Sequence, residues 1–142
     1  MPSRSDRRVL ALDVGSARVG AAVSDPLCLF AQGIAVWRVD EDWRASLREC
    51  LARYDPYLVL VGMPRRTDGS FGPEAEAVEG LVADLRAEHP TRRFETWDER
   101  YTTVMAERAL LEGDVSRAKR RQRIDRVAAA LILQSWLDSK KD

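Results

Sequence analysis

The feature that most constrains this chain is an apolar run that ends in an acid, VLALDVGS at residues 9–16. Its apolar part predicts a buried β-strand, and a carboxylate in a buried strand is costly unless a metal ion, a base or a ligand meets it. Gly15 leaves room beside Asp13 for a phosphate or another backbone. An aspartate that only ends a strand and caps a turn has the same local pattern, so both interpretations stay open.

The run RVGAAVSD at residues 18–25 also predicts a strand, which would form a β-hairpin with the first and place Asp13 near the turn. A third strand over residues 33–39 would complete an antiparallel meander. Helical spacing of apolar residues then begins at Trp43, after Asp42, and ends near Tyr54, before Asp55-Pro56. The continuous apolar run of residues 57–62 predicts a central strand that is buried on both faces.

The second half of the chain continues in alternation. We predict a loop over 63–72, a helix from Pro73 to about Glu88 and a strand over 94–97. The next predicted helix is capped by Thr102 or Thr103 and ends at Gly113. A basic connector over 116–123 then leads to a last helix over about 124–139. This β-β-β-α-β-α-β-α-α order predicts one α/β domain over residues 1–142, with a mixed five-stranded sheet and helices on both faces. It matches the ribonuclease-H-like architecture.

Composition narrows the class of protein. The chain has 142 residues, of which 45% are hydrophobic and 32% charged, as is usual for a globular domain. No apolar stretch is long enough for a membrane span, and the N-terminus does not resemble a signal peptide. Free thiols at Cys28 and Cys50 would suit the cytoplasm. With 23 basic and 23 acidic residues, any binding of nucleic acid must use a local basic patch.

Acidic residues fall at three places that the predicted fold brings to one edge of the sheet. They are Asp13 on the first strand, Asp98 and Glu99 after the fifth, and Asp125 at the start of the last helix. Clustered carboxylates repel one another unless a cation lies among them, and Mg²⁺ or Mn²⁺ prefers such oxygen ligands. We expect Asp13, Glu99 and Asp125 to bind metal, with Asp98 as a further catalytic candidate.

Basic residues cluster close to these acids. The run from Arg117 to Arg126 immediately surrounds Asp125, which favours contact with phosphates over a solvated loop. A smaller basic pair occurs in the loop after the central strand. The candidate nucleic-acid contacts are Arg18, Arg65, Arg66, Arg100, Lys119, Arg120, Arg121 and Arg123.

Four segments, in order along the chain, resemble the YqgF/RuvX family, a ribonuclease-H-like branch related to Holliday junction resolvases. They are the opening run of residues 11–25, the VGMP and DGS segments at 61–64 and 68–70, DERYTT at 98–103, and Ile124-Asp125 with Ala128-Ala129. The chain departs from the family pattern at Arg65-Arg66 and Arg126, which bears on the substrate more than on the metal site.

The resemblance implies a metal-dependent nuclease in the bacterial cytoplasm. Its substrate would be structured RNA, through 5′-end maturation of pre-16S ribosomal RNA, or branched DNA such as Holliday junctions. The protein would be a monomer or a homodimer. Two other classes compete: a phosphate-binding lobe of the actin–hexokinase superfamily, which shares Asp-x-Gly-Ser after a strand, and a catalytically silent protein that binds nucleic acid.

Overall fold

The computed structural model describes residues 7–64, 68, 70–99 and 117–140, and the side chains of the last helix from residue 127 onwards. The predicted helix over 102–113 lies outside these residues. The described elements, in chain order, are β1 (Val9–Val14), β2 (Arg18–Ser24), β3 (Ala31–Arg38), α1 (Trp43–Tyr54), β4 (Leu58–Met63), α2 (Pro73–Glu88), β5 (Phe94–Asp98) and α3 (Arg117–Ser139).

The five strands form one mixed sheet in the order β3-β2-β1-β4-β5. β1, β2 and β3 are an antiparallel meander, whereas β4 runs parallel to both β1 and β5. The predicted fold class is therefore confirmed. Because β1, β4 and β5 point the same way, the residues that end these three strands meet at one edge of the sheet.

Helices cover both faces of the sheet, as predicted. α1 and α2 pack on the face that carries Leu10 and Leu12, and α3 packs on the face that carries Val9 and Ala11. Side chains alternate between faces along a strand, so Asp13 belongs to the face that α3 covers.

Local signals explain where α1 and α2 end. The Asp42 carboxylate accepts a hydrogen bond from the Ala45 amide at 3.2 Å and caps α1. Asp55, with a left-handed φ of 45°, ends α1. Pro73 begins α2, and His89 caps its C-terminal end.

The predicted start of the last helix was wrong. The helix begins at Arg117 rather than near Ile124, so the predicted basic connector has helical backbone. Arg, Lys, Gln and Ala are favourable helix formers, and no Gly or Pro interrupts residues 117–139. Two strands are also longer than predicted: β3 begins at Ala31, opposite Ser24, and β5 extends to Asp98, opposite Met63. In the described part of the chain, no helix is long and apolar enough to cross a membrane.

Candidate active site

Asp13 lies near the end of the central strand, between two glycines. Gly20 of β2 is its direct partner in the antiparallel ladder. On the other side, Leu12 pairs with Val61 of β4, so Asp13 lies beside Gly62. Neither neighbouring position carries a side chain. The missing side chain at residue 62 lets other groups approach the carboxylate that this strand places on the α3 face, and Glu99 and Ile132 occupy that space.

Glu99 comes directly after β5 and lies on the same face as Asp13. The indole Nε1 of Trp97 donates a hydrogen bond to Ser135 Oγ of α3 at 3.1 Å, which fixes the α3 side of β5. Phe94 packs into the opposite core. Alternation along β5 therefore puts Asp98 on the face of Phe94. Glu99 lies beyond the strand, and its hydrogen bond to Asp13 puts it on the face of Trp97.

The Asp13 and Glu99 side chains are hydrogen-bonded to each other. Burial, together with the hydrogen bond and the negative charge of Asp13, raises the pKa of Glu99 to about 8, and the charge of Asp98 adds to the effect. Such a hydrogen bond requires one proton between the two groups, so the protonated Glu99 carboxyl donates to the Asp13 carboxylate. The pair can exchange this proton for a cation that has an affinity for oxygen ligands.

The third predicted acid, Asp125, belongs to α3 and comes one turn before Ala129. Ala129 is buried against the sheet on the Asp13 face, but the Asp125 side chain lies outside the described residues. Among the side chains that the structure describes, no three His, Cys, Asp or Glu residues lie close enough together to hold a metal ion. The structure thus brings together Asp13 and Glu99, with Asp98 nearby, and the contribution of Asp125 stays a prediction.

The side chains of most of the predicted nucleic-acid-binding residues lie outside the described part of the structure. Arg65, Arg66 and Arg100 lie outside the described residues. For Lys119, Arg120, Arg121 and Arg123 only the helical backbone of α3 is described.

Arg18 is the exception, because it begins β2 and lines a cleft beside the β1–β2 turn. Sequence reasoning missed Arg38, which lies directly opposite Arg18 on β3. The register of this hairpin shifts by one residue at a bulge between Ala21 and Ala22, so counting outwards from the loop would have placed Trp37 opposite Arg18.

Thiol catalysis is disfavoured by the structure. Cys28 and Cys50 are free thiols, and burial raises the pKa of each above its ordinary value. A raised pKa keeps a thiol protonated and weakens it as a nucleophile. His89 caps α2, as a residue at a helix end would.

The fold and the site together define a class of protein. A mixed sheet in this strand order, with acidic residues at the ends of β1 and β5 beneath the last helix, is a ribonuclease-H-like fold. The chain belongs to the RuvX family, whose model, described as Holliday junction resolvase, matches residues 7–139. The predicted family resemblance is therefore confirmed.

Curated relatives match nearly the whole chain. A Geobacillus kaustophilus protein named "Putative pre-16S rRNA nuclease" is 45% identical over 138 residues, which cover 94% of this chain and 99% of the relative. A Moorella thermoacetica protein of the same name is 48% identical over 136 residues, 92% of this chain and 94% of the relative.

Among solved structures, the Fowlpox virus resolvase, in complex with Holliday junction DNA, superimposes with a TM-score of 0.56 at 13% identity. The match covers 95% of this chain and 99% of the resolvase chain. At that identity the similarity supports the fold alone.

Proposed function

We propose that this protein is a divalent-metal-dependent nuclease that hydrolyses phosphodiester bonds in structured nucleic acid, with the 5′ end of pre-16S ribosomal RNA as its main substrate. The observation that carries the proposal is the hydrogen-bonded Asp13–Glu99 pair at the end of the central strand. Two half-buried carboxyl groups on one face, with glycines on both sides of Asp13, suit a cation and an approaching phosphate.

In this proposal Asp13 is the central metal ligand and Glu99 the second carboxylate. Asp98 adds negative charge from the adjacent position, and Asp125 completes the set from α3. Bound Mg²⁺ or Mn²⁺ would supply activation of the attacking water and stabilisation of the leaving oxygen. The protein's own contribution is to hold Glu99 against Asp13, in the space that the missing side chain at residue 62 leaves for it.

Two observations favour an RNA substrate. Relatives that match nearly the full chain are named for pre-16S rRNA. Trimming one RNA end also needs only one active site, and the predicted basic residues cluster around a single site. Phosphate contacts would position the strand, and 2′-hydroxyl groups would let the protein distinguish RNA from DNA.

A junction resolvase is the second candidate, supported by the family description and by the fold shared with the Fowlpox virus resolvase. A four-way junction has two-fold symmetry, and its resolution requires paired nicks. A protein that acts on it should be a symmetric dimer with both sites facing one substrate. The oligomeric state therefore discriminates between the two candidates. The actin–hexokinase alternative is disfavoured, since the match to the resolvase family covers residues 7–139.

The deciding experiment compares precursor 16S rRNA and a four-way DNA junction as substrates of the same preparation, with Mn²⁺, with Mg²⁺ and with EDTA. Sedimentation at the working concentration accompanies the assay. We expect a monomer that cleaves the precursor near its 5′ end only when metal is present. A stable dimer that nicks the junction symmetrically and leaves the precursor intact would reverse the ranking. Tight binding without cleavage under every metal condition would identify a silent binding protein.

A further inference from the structure

Two arginines lie side by side at the edge of the sheet that holds the candidate active site. Arg18 of β2 and Arg38 of β3 are direct partners in the antiparallel ladder. Like charges at directly opposed positions destabilise an antiparallel pair. An anion placed against both guanidinium groups would convert this repulsion into attraction.

The two arginines line a preformed cleft of about 430 Å³, together with Ser16, Ala17, Val39 and Asp40. Backbone hydrogen bonds hold its walls in place. The Gly15 amide donates to the Arg18 carbonyl at 2.8 Å, and the Val39 amide donates to the Ala17 carbonyl at 2.9 Å. The second bond ties the β1–β2 turn to the end of β3, so the cleft does not have to be assembled when a ligand arrives.

Arg38 is well suited to exchange its partner for a phosphate. It forms an ion pair with Asp40 at 2.6 Å, and both side chains are 65% exposed. Exposed ion pairs contribute little to stability, so a phosphate oxygen can replace the Asp40 carboxylate at small cost.

The register places both arginines on the catalytic face. Gly20 is opposite Asp13, and Arg18 is two residues further along β2, so alternation puts Arg18 on the Asp13 face. With strands about 4.8 Å apart and a rise of about 3.4 Å per residue, the Arg18 and Arg38 Cα atoms lie about 8 Å and about 12 Å from that of Asp13. The three positions form a path from the centre of the sheet towards its β3 edge.

We infer that Arg18 and Arg38 form a phosphate track for the nucleic-acid strand. The two arginines bind successive phosphates on one side of the scissile bond, and the cleft that they line holds the backbone between these phosphates. The inference rests on the proposed nuclease function and adds the path of the substrate. Arg38 acts as a positioning residue, since it lies away from the reacting atoms.

Binding is measured first, in EDTA, so that cleavage does not interfere. The probe is a labelled RNA hairpin with a single-stranded 5′ extension, titrated at several KCl concentrations. Arg38→Ala should weaken binding about fivefold and lower the salt slope by about 0.7, the share of one contact to a single strand. Arg38→Lys should restore most of the affinity. Asp40→Asn should strengthen binding, because it removes the competing carboxylate.

Arg48→Ala is the matched control. Arg48 is exposed on α1, which packs on the opposite face of the sheet, and its replacement changes the net charge by the same amount. This variant should bind like the unmodified protein. In the cleavage assay Arg38→Ala should raise KM and leave kcat unchanged, as expected for lost uniform binding.

A substrate modification locates the contact. Single phosphates on either side of the cleaved bond are replaced by uncharged methylphosphonates, one at a time. A methylphosphonate at one position, about two phosphates from the scissile bond, should weaken binding to the unmodified protein. The same methylphosphonate should not weaken binding to the Arg38→Ala variant any further. Non-additivity of this kind identifies a direct partner.

The outcomes separate the two proposals. Equal affinity and equal salt slope for Arg38→Ala and Arg48→Ala, in a protein that cleaves RNA, would overturn the phosphate track and leave the nuclease function standing. Binding that depends on Arg38 without any cleavage would support the track and contradict the nuclease. A protein that does not bind the hairpin would overturn the track outright.

Discussion

Glu99 lies so close to Gly62 that a Cβ atom on residue 62 would be 2.5 Å from Glu99 Oε1. The same atom would be 2.7 Å from Cδ1 of Ile132 on α3. Residue 62 of β4 must therefore be glycine if Glu99 is to reach Asp13 beneath the last helix. The absence of a side chain at residue 62 contributes as directly to the site as the two acids do.

Gly62→Ala should impair activity more than folding. The atoms that the new Cβ would meet include the ends of two side chains, which can shift, so the free energy of unfolding should fall by about 1–3 kcal/mol. The shift moves the Glu99 carboxyl away from Asp13, and cleavage should fall at least about tenfold. Chemical denaturation and a cleavage assay on the same preparation measure both effects.

Gly80→Ala provides the control. A Cβ at this exposed position of α2 meets nothing within 4 Å, so alanine should stabilise the helix by about 0.5–1 kcal/mol with unchanged activity. If Gly62→Ala keeps full activity, the close packing of residue 62 against Glu99 has no role in the site.

The metal-free protein should lose stability as the pH rises. The native pKa of Glu99 is about 8, compared with an ordinary value of 4.5, so the folded state binds this proton more tightly than the unfolded state does. The stabilisation is complete below about pH 4.5 and is lost as the pH rises through about 8, with a slope of at most about 1.4 kcal/mol per pH unit.

Urea denaturation in EDTA between pH 5 and pH 9 tests this expectation against Glu99→Gln, which has no proton to lose at this position. The difference in unfolding free energy between the two proteins should change with pH over this window, in the direction that favours the variant at high pH. Saturating Mn²⁺ should remove the effect. Parallel pH profiles of the two proteins in EDTA would contradict the raised pKa.

Asp13→Asn should abolish metal binding and lower cleavage by at least about a hundredfold, because it keeps the shape of the side chain and removes its charge. Folding should survive. At pH 8 without metal the melting temperature should rise, since a half-buried negative charge beside Glu99 is gone. Calorimetric titration with Mn²⁺, a cleavage assay and thermal melts follow the three quantities.

Asp84→Asn makes the same chemical change on α2, where Asp84 is 64% exposed and lies 3.7 Å from Arg44. It should leave all three quantities unchanged. Full activity in a folded Asp13→Asn protein would remove the basis of the proposed mechanism.

Alanine at Lys119, Arg120 and Arg121 should weaken binding of nucleic acid and flatten its salt dependence, by about 0.9 for each duplex phosphate contact that is lost. The backbone of this run is helical, and alanine is a favourable helix former, so circular dichroism should be unchanged. A salt slope equal to that of the unmodified protein would show that these residues are only a solvated helix face.

Local sequence patterns predicted much of this structure because the relevant signals are short in range. The alternation and the apolar runs of β1, β2 and β4 predicted the meander and the buried strand, and Asp42, Pro73 and His89 marked the ends of helices. The predicted start of the last helix was too late in the chain, because the charged residues from Arg117 onwards are compatible with both a helix and a solvated loop. The helical backbone of residues 117–123 distinguishes the two.

The sequence by itself predicted that Asp13 lies in the first strand, near its turn, and that two further acids lie at the end of the fifth strand. Only the tertiary structure decided that Glu99 is hydrogen-bonded to Asp13, and that Arg18 lies opposite Arg38. The reason is physical. Adjacent residues of a strand point to opposite faces, and the face that each occupies depends on the register with neighbouring strands and on the helix that covers them. These contacts join residues far apart in the chain, so no local pattern encodes them.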